Sequence, residues 1–103
     1  MNTTRAITGI DRFNDCTILV FGKHPACHTC RVVGIERFDN GDVRVARVLK
    51  GMRTQSHMHL DRGDRVVILS GHVEGRLPNG WQKMTANDVL KYVGEAVLWD
   101  HTA

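Results

Sequence analysis

The sequence has little of what would place it in a membrane, a disulfide scaffold or a disordered state. No apolar run approaches the roughly 18 residues that span a bilayer; the longest, Cys16 to Phe21, is strand-sized. Met1 to Arg12 holds no apolar core followed by a small-residue cleavage site, so no signal peptide is expected and a cytoplasmic location follows by default. The three cysteines are an odd number without a secretion signal, which argues against a disulfide framework. Aromatics amount to two Trp, one Tyr and three Phe, few for a base-stacking platform. There is no repeat, low-complexity tract or linker.

What is present is an ordinary globular composition. Hydrophobic residues make up 42% and charged residues 24% of the 103 positions. That balance excludes disorder as the main state and fits one domain, residues 1–103. The net charge of +3 and pI near 9.0 suit an anionic partner. The basic residues do not cluster, however. Arg44 and Arg47 follow Asp39 and Asp42, and Arg62 and Arg65 alternate with Asp61 and Asp64. A solvated mixed-charge surface is the simpler reading, and nucleic acid is not the expected partner.

Turn chemistry and periodicity predict a strand-rich chain. The first dozen residues are polar and expected to be loose. Cys16 to Phe21 (CTILVF) reads as a buried strand and Gly22 to Thr29 as a loop. Arg31 to Phe38 and Val43 to Lys50 flank Asp39-Asn40-Gly41-Asp42, and Asn-Gly tolerates the positive φ of tight turns, so a β-hairpin is predicted. Asp64 to Ser70 reads as a second buried strand. Val73 to Leu77 and Trp81 to Met84 flank Pro78-Asn79-Gly80 as a second hairpin. Thr85 to Trp99 admits two readings. One is a helix capped by Thr85 and Asp88, with Val89, Leu90, Val93 and Val97 at helical spacing. The other is two strands, Asp88 to Val93 and Ala96 to Trp99, broken at Gly94.

His57 and His59 are the most informative pair. Two apart on a strand, they share one face, where two imidazoles can ligate one metal ion. Their setting is Gly51-x5-His57-x-His59-x4-Asp64-x6-Gly71. This resembles the first motif of the cupin superfamily, with Asp64 where that family usually has Glu. The following hairpin and Asn87-Asp88-Val89-Leu90 resemble the family's Gly-Asp-aliphatic step, with Asn87 in place of Gly. Where the second cupin motif supplies proline, glycine and a last histidine, this sequence has Val93, Glu95 and Leu98; His72 and His101 lie nearby. The resemblance covers roughly Val43 to Trp99. It implies a small jelly-roll barrel and a small-molecule ligand. It also implies a divalent transition metal, Fe, Mn, Ni or Zn, held by His57, His59 and Asp64, with a homodimer completing the barrel. No catalytic residue is assigned, and whether the protein is an enzyme stays open.

A second donor cluster is His24, Cys27 and Cys30. Zinc favours such nitrogen and sulfur ligands, but a structural site normally draws on a second knuckle, and Cys16 lies in an apolar strand. A redox Cys-x-x-Cys should open a helix, whereas Cys30 leads into a strand. Two other readings stand beside the barrel. Gly63 to Gly80 resembles an SH3-like barrel element, which implies a basic module binding nucleic acid or a protein partner. The third is an α+β fold: a curved antiparallel sheet carrying one C-terminal helix, residues 85–99, with a ligand site in a pocket or dimer interface.

Overall fold

The Asp39–Asp42 turn organises the first half of the chain as its Asn-Gly predicts. Phe38 N–H donates to the Asp42 carbonyl (2.9 Å), the Asn40 side chain accepts from Asp42 N–H (3.0 Å), and Gly41 takes the required positive φ, 88°. The computed structural model describes residues 5–71 and 75–101. Its strands are β1 (Ile7–Phe21), β2 (Ala26–Phe38), β3 (Val43–Leu49), β4 (Gln55–Leu60), β5 (Arg65–Ser70) and β6 (Ala96–Asp100). A 3₁₀ turn (Trp81–Lys83) and one helix, α1 (Ala86–Val93), lie between β5 and β6. All six strands form one sheet in the order β4-β3-β2-β1-β5-β6, and every described pairing is antiparallel.

The sheet curves round its own side chains. Leu60 on edge strand β4 and Val66 and Ile68 on β5 belong to one contiguous buried cluster with Ile18, Val33, Ile35, Val43 and Val45, and strands that are not neighbours approach each other where Arg37 of β2 lies over the Trp99 ring of β6 (5.8 Å). On the opposite face Leu19, Val67 and Leu69 pack against Ala86 and Val89 of α1. β5 is therefore apolar on both faces because both are covered, which explains the unbroken run Val66 to Leu69. Each fully buried side chain of this kind contributes roughly 1.5–3 kcal/mol relative to exposure.

Two strands carry an irregularity at the same level. In the β1–β2 ladder Asn14 pairs with Val32 and Cys16 with Cys30, with no pairing recorded for Asp15 and Arg31 between them. Asp15 has φ 48°, the only positive value among the described non-glycine residues. Phe13 and Cys16, three apart, both pack on the first cluster, as do Cys30 and Val33. The period of two is broken here in both strands without a change of register between them, whereas against β3 the register of β2 shifts between Cys30 and Val32, a β-bulge at Arg31.

The mainly β class is as the sequence predicts, but the six strands do not close into a barrel. The architecture is the curved antiparallel sheet with one C-terminal helix. That helix ends at Val93 rather than Trp99, because Gly94 takes φ 75° and its N–H bonds Leu90 O. Ala96 to Asp100 then pairs with β5. Thus Asp88 to Val93 is helix, not strand. The predicted cap is present: Thr85 Oγ1 accepts from Asp88 N–H (3.1 Å) and the Asp88 carboxylate accepts from Thr85 N–H (3.2 Å).

Two further expectations are corrected. The polar N-terminus is not loose from Ile7 onward, since β2 pairs it into the sheet, and only residues 22–25 of the expected loop lie between strands. Trp81 begins a 3₁₀ turn rather than a hairpin strand, and its indole meets Phe21 edge-on with centroids 5.5 Å apart. Val73, in the same predicted hairpin, lies outside the described residues. Among those described, no helix is long and apolar enough to cross a membrane.

Candidate functional site

β4 places His57 and His59 as alternation demands, on one face. Ser56, Met58 and Leu60 turn the other way, Leu60 buried and Met58 packed against the first cluster. Both histidines are exposed on an edge strand, and His57 Nε2 lies 3.0 Å from Gln55 Nε2. Asp64 serves the β4–β5 turn. Its carboxylate accepts from Asp61 N–H (2.9 Å) and lies so close to Gly22 that a Cβ there would collide with it. The same turn is tied to the end of β6, because His101 N–H donates to Asp64 O (2.9 Å) and Gly63 N–H donates to His101 O (2.7 Å). His101 is buried. His72 lies outside the described residues.

The second donor set is dispersed by the same alternation. His24 is exposed in the connection between β1 and β2. Cys27 pairs with Leu19, which belongs to the helix-covered face, whereas Cys30 pairs with Cys16 in the first cluster. Cys27 and Cys30 therefore sit on opposite faces. Among the described residues, no three His, Cys, Asp or Glu side chains come together as a group able to hold a metal ion.

A concave feature lies at the irregular level of the β1–β2 ladder. It is a cavity of about 260 Å³ lined by Asp15, Thr29, Cys30, Arg31, Lys50 and Gly71. Its walls come from β1, from β2, from the residue after β3 and from the residue after β5. Backbone bonds hold them together: Lys50 N–H donates to Thr29 O (2.9 Å) and Gly71 N–H to Asp15 O (2.7 Å). Beneath, the fully buried Thr17 hydroxyl lies 3.2 Å from Gly71 O and 3.4 Å from Thr29 Oγ1. Asp15 holds a left-handed conformation, the kind of sparsely populated backbone that gathers at ligand sites.

The electrostatics of this neighbourhood lean positive. Arg31 and Lys50 line the cavity against one carboxylate, Asp15. Behind Cys30 lies Arg47, partly buried, donating only to Ser56 Oγ (3.3 Å) and the Met58 sulfur (3.6 Å); no described carboxylate pairs with it. Burial, and secondarily the Arg47 charge, hold His28 below its ordinary pKa. Burial pushes the Cys30 thiol up, with Arg47 opposing. Elsewhere four arginines are paired: Arg5–Asp42 (2.6 Å), Arg44–Glu36 (2.7 Å), Arg65–Asp100 (2.5 Å) and Arg37–Asp11.

Of the cavity residues, only Cys30 and Gly71 stood out in the sequence, each for a different motif. The others are common types on separate elements, and only pairing across the sheet gathers them. The one local signal was Asn14-Asp15, two turn-forming residues inside a strand-length segment. No family model, curated protein or solved structure matches this chain.

Proposed function

We propose that the protein binds a small anionic molecule, carboxylate- or phosphate-bearing, in the cavity between Asp15, Arg31 and Lys50. The observation that carries this reading is the pairing of two cationic side chains with a cavity of about 260 Å³ at an interruption of the ladder. Ligand sites combine apolar walls with a few convergent polar groups, and a cavity slightly below the usual 300–1,000 Å³ suits a compact ligand. Arg31 and Lys50 supply charge-assisted donors, Thr29 a hydroxyl, and Asp15 a carboxylate that would select a ligand also bearing a donor. Basic residues that alternate with acidic ones along the chain rather than clustering favour this reading over a basic nucleic-acid surface.

Thermal-shift screening of small carboxylates and phosphates, followed by calorimetry on the hits, tests the proposal. A bound anion should lose about tenfold or more in affinity in Arg31→Ala, the effect of one lost charge-assisted hydrogen bond. Preference for neutral or cationic compounds, or unchanged affinity in both Arg31→Ala and Lys50→Ala, would remove it.

A further inference from the structure

The cysteines that the sequence could only count are ordered by the fold in a specific way. Cys16 and Cys30 are direct partners across the antiparallel β1–β2 ladder, so their side chains leave the sheet on the same face. Directly opposed Cα atoms in such a ladder lie about 4.5 or 5.5 Å apart, depending on the type of pair. Both values fall inside the range of roughly 4.4–6.8 Å that a disulfide requires. Both residues are 2% exposed and belong to the same core cluster, which holds no third cysteine among the described residues. Cys27, exposed and facing the other way, stands apart. We propose that Cys16 and Cys30 form a reversible intrachain disulfide when the protein meets a hydroperoxide.

The access route is the cavity. Cys30 lines it although its residue is buried, whereas Cys16 does not. In the proposed order a small peroxide entering there meets Cys30 first. Cys30 gives up its proton, its thiolate attacks one peroxide oxygen, the O–O bond breaks, and the leaving hydroxide takes up that proton, so Cys30 sulfenic acid and water form. The sulfur of Cys16 then attacks the Cys30 sulfur and expels the hydroxyl as a second water, taking up the Cys16 proton. The balance is two thiols and one hydrogen peroxide to one disulfide and two waters. Arg47 supports the first step by favouring the Cys30 thiolate against the burial that disfavours it. Cys16 is pushed up to about 11 by burial, by Cys30 and by Asp15, so it remains a thiol until the sulfenic acid stands beside it. The bond would staple β1 to β2 next to Asp15 and Arg31, where the ladder is interrupted. This inference does not rest on the ligand reading, since it needs the cavity only as an entry for a small peroxide and not as a binding site for an anion.

The test uses full-length Cys27→Ser, whose substitution lies at an exposed position and leaves the pair alone. After dilute hydrogen peroxide, its intact mass should fall by two hydrogens and its titratable thiols should disappear. Peptide mapping without reductant should recover the Cys16 and Cys30 peptides linked, and a dithiol should reverse the change. Mapping the wild-type chain under the same treatment gives a second readout that depends on no variant. Added oxygen atoms without a cross-link, a cross-link between chains, or both thiols surviving at peroxide doses that oxidise exposed methionines would each overturn the proposal.

Discussion

The two halves of the sheet share a buried inner face and differ in what covers the outer one. In the C-terminal half, β5 and the second part of β1 send Leu19, Val67 and Leu69 outward into a cluster closed by Ala86 and Val89 of α1. In the half made by β2, β3 and β4, no described element covers the outer face. Gln55, His57, His59, Arg44 and Glu36 occupy it, with Val32 and Ile10 each 40% exposed. The comparison shows why one pattern reads as an unbroken apolar run and the other as alternation. A strand is apolar at every position only where both of its faces are removed from water.

Three measurements sharpen or break this contrast. The largest effect is expected for a doubly covered strand. Leu69→Ala should cost about 3 kcal/mol in chemical denaturation, because the residue is 1% exposed beneath the helix. His57→Ala, on the uncovered face, should change stability by less than about 0.5 kcal/mol. Comparable losses in the two variants would mean that the outer face of β4 is also covered, for example by a second copy of the chain.

A middle-sized effect belongs to the cap. Thr85→Ala removes the side-chain acceptor of the capping box and should cost about 1 kcal/mol. Amide exchange should quicken in Ala86–Val93 and in the amides beneath it, while β3 and β4 stay unchanged. Equal quickening in β3 would show that the two halves open as one unit.

The smallest is a pH effect on the half without a helix. Because the folded chain holds His28 below its ordinary 6.5, the unfolded chain takes up the proton first. The His28 contribution is therefore complete above pH 6.5 and fades as pH falls through that value toward the folded one. Denaturation midpoints across this window should decline less steeply in His28→Gln than in wild type. An identical slope in both would place the pH dependence elsewhere.

Several of these features could be read before any fold was known. Asn40-Gly41 marked the hairpin because a tight turn needs positive φ. Thr85 and Asp88 marked the helix start because their side chains satisfy amides that the helix itself leaves open. Val66 to Leu69 announced a strand buried on both sides. The helix end was harder, since Val97 continues the helical spacing of Val89, Leu90 and Val93; Gly94 decides in favour of a turn and a sixth strand. The first dozen residues looked loose because their strand is short of apolar side chains, and only pairing with β2 orders it.

The candidate site was less legible. His57, His59 and Asp64 have a spacing that resembles a metal motif, yet spacing cannot say whether a carboxylate faces two imidazoles or closes its own turn. Asp64 accepts the Asp61 amide, and His57 and His59 stand on the outer face of an edge strand. Cys27 and Cys30 looked like a ligand pair until strand alternation sent them to opposite faces.

What the sequence determined by itself is local: turns, caps, strand periods and the choice of a mainly β chain, all set by residues within a few positions of one another. The tertiary structure decided what depends on strands far apart in sequence coming side by side. Register set Cys16 opposite Cys30, fourteen positions away. Curvature brought Arg37 of β2 over the Trp99 ring of β6, and the cavity at Asp15 takes its walls from four places in the chain. Pairing of distant strands is a collective choice of buried area and hydrogen bonds, and no single segment encodes it.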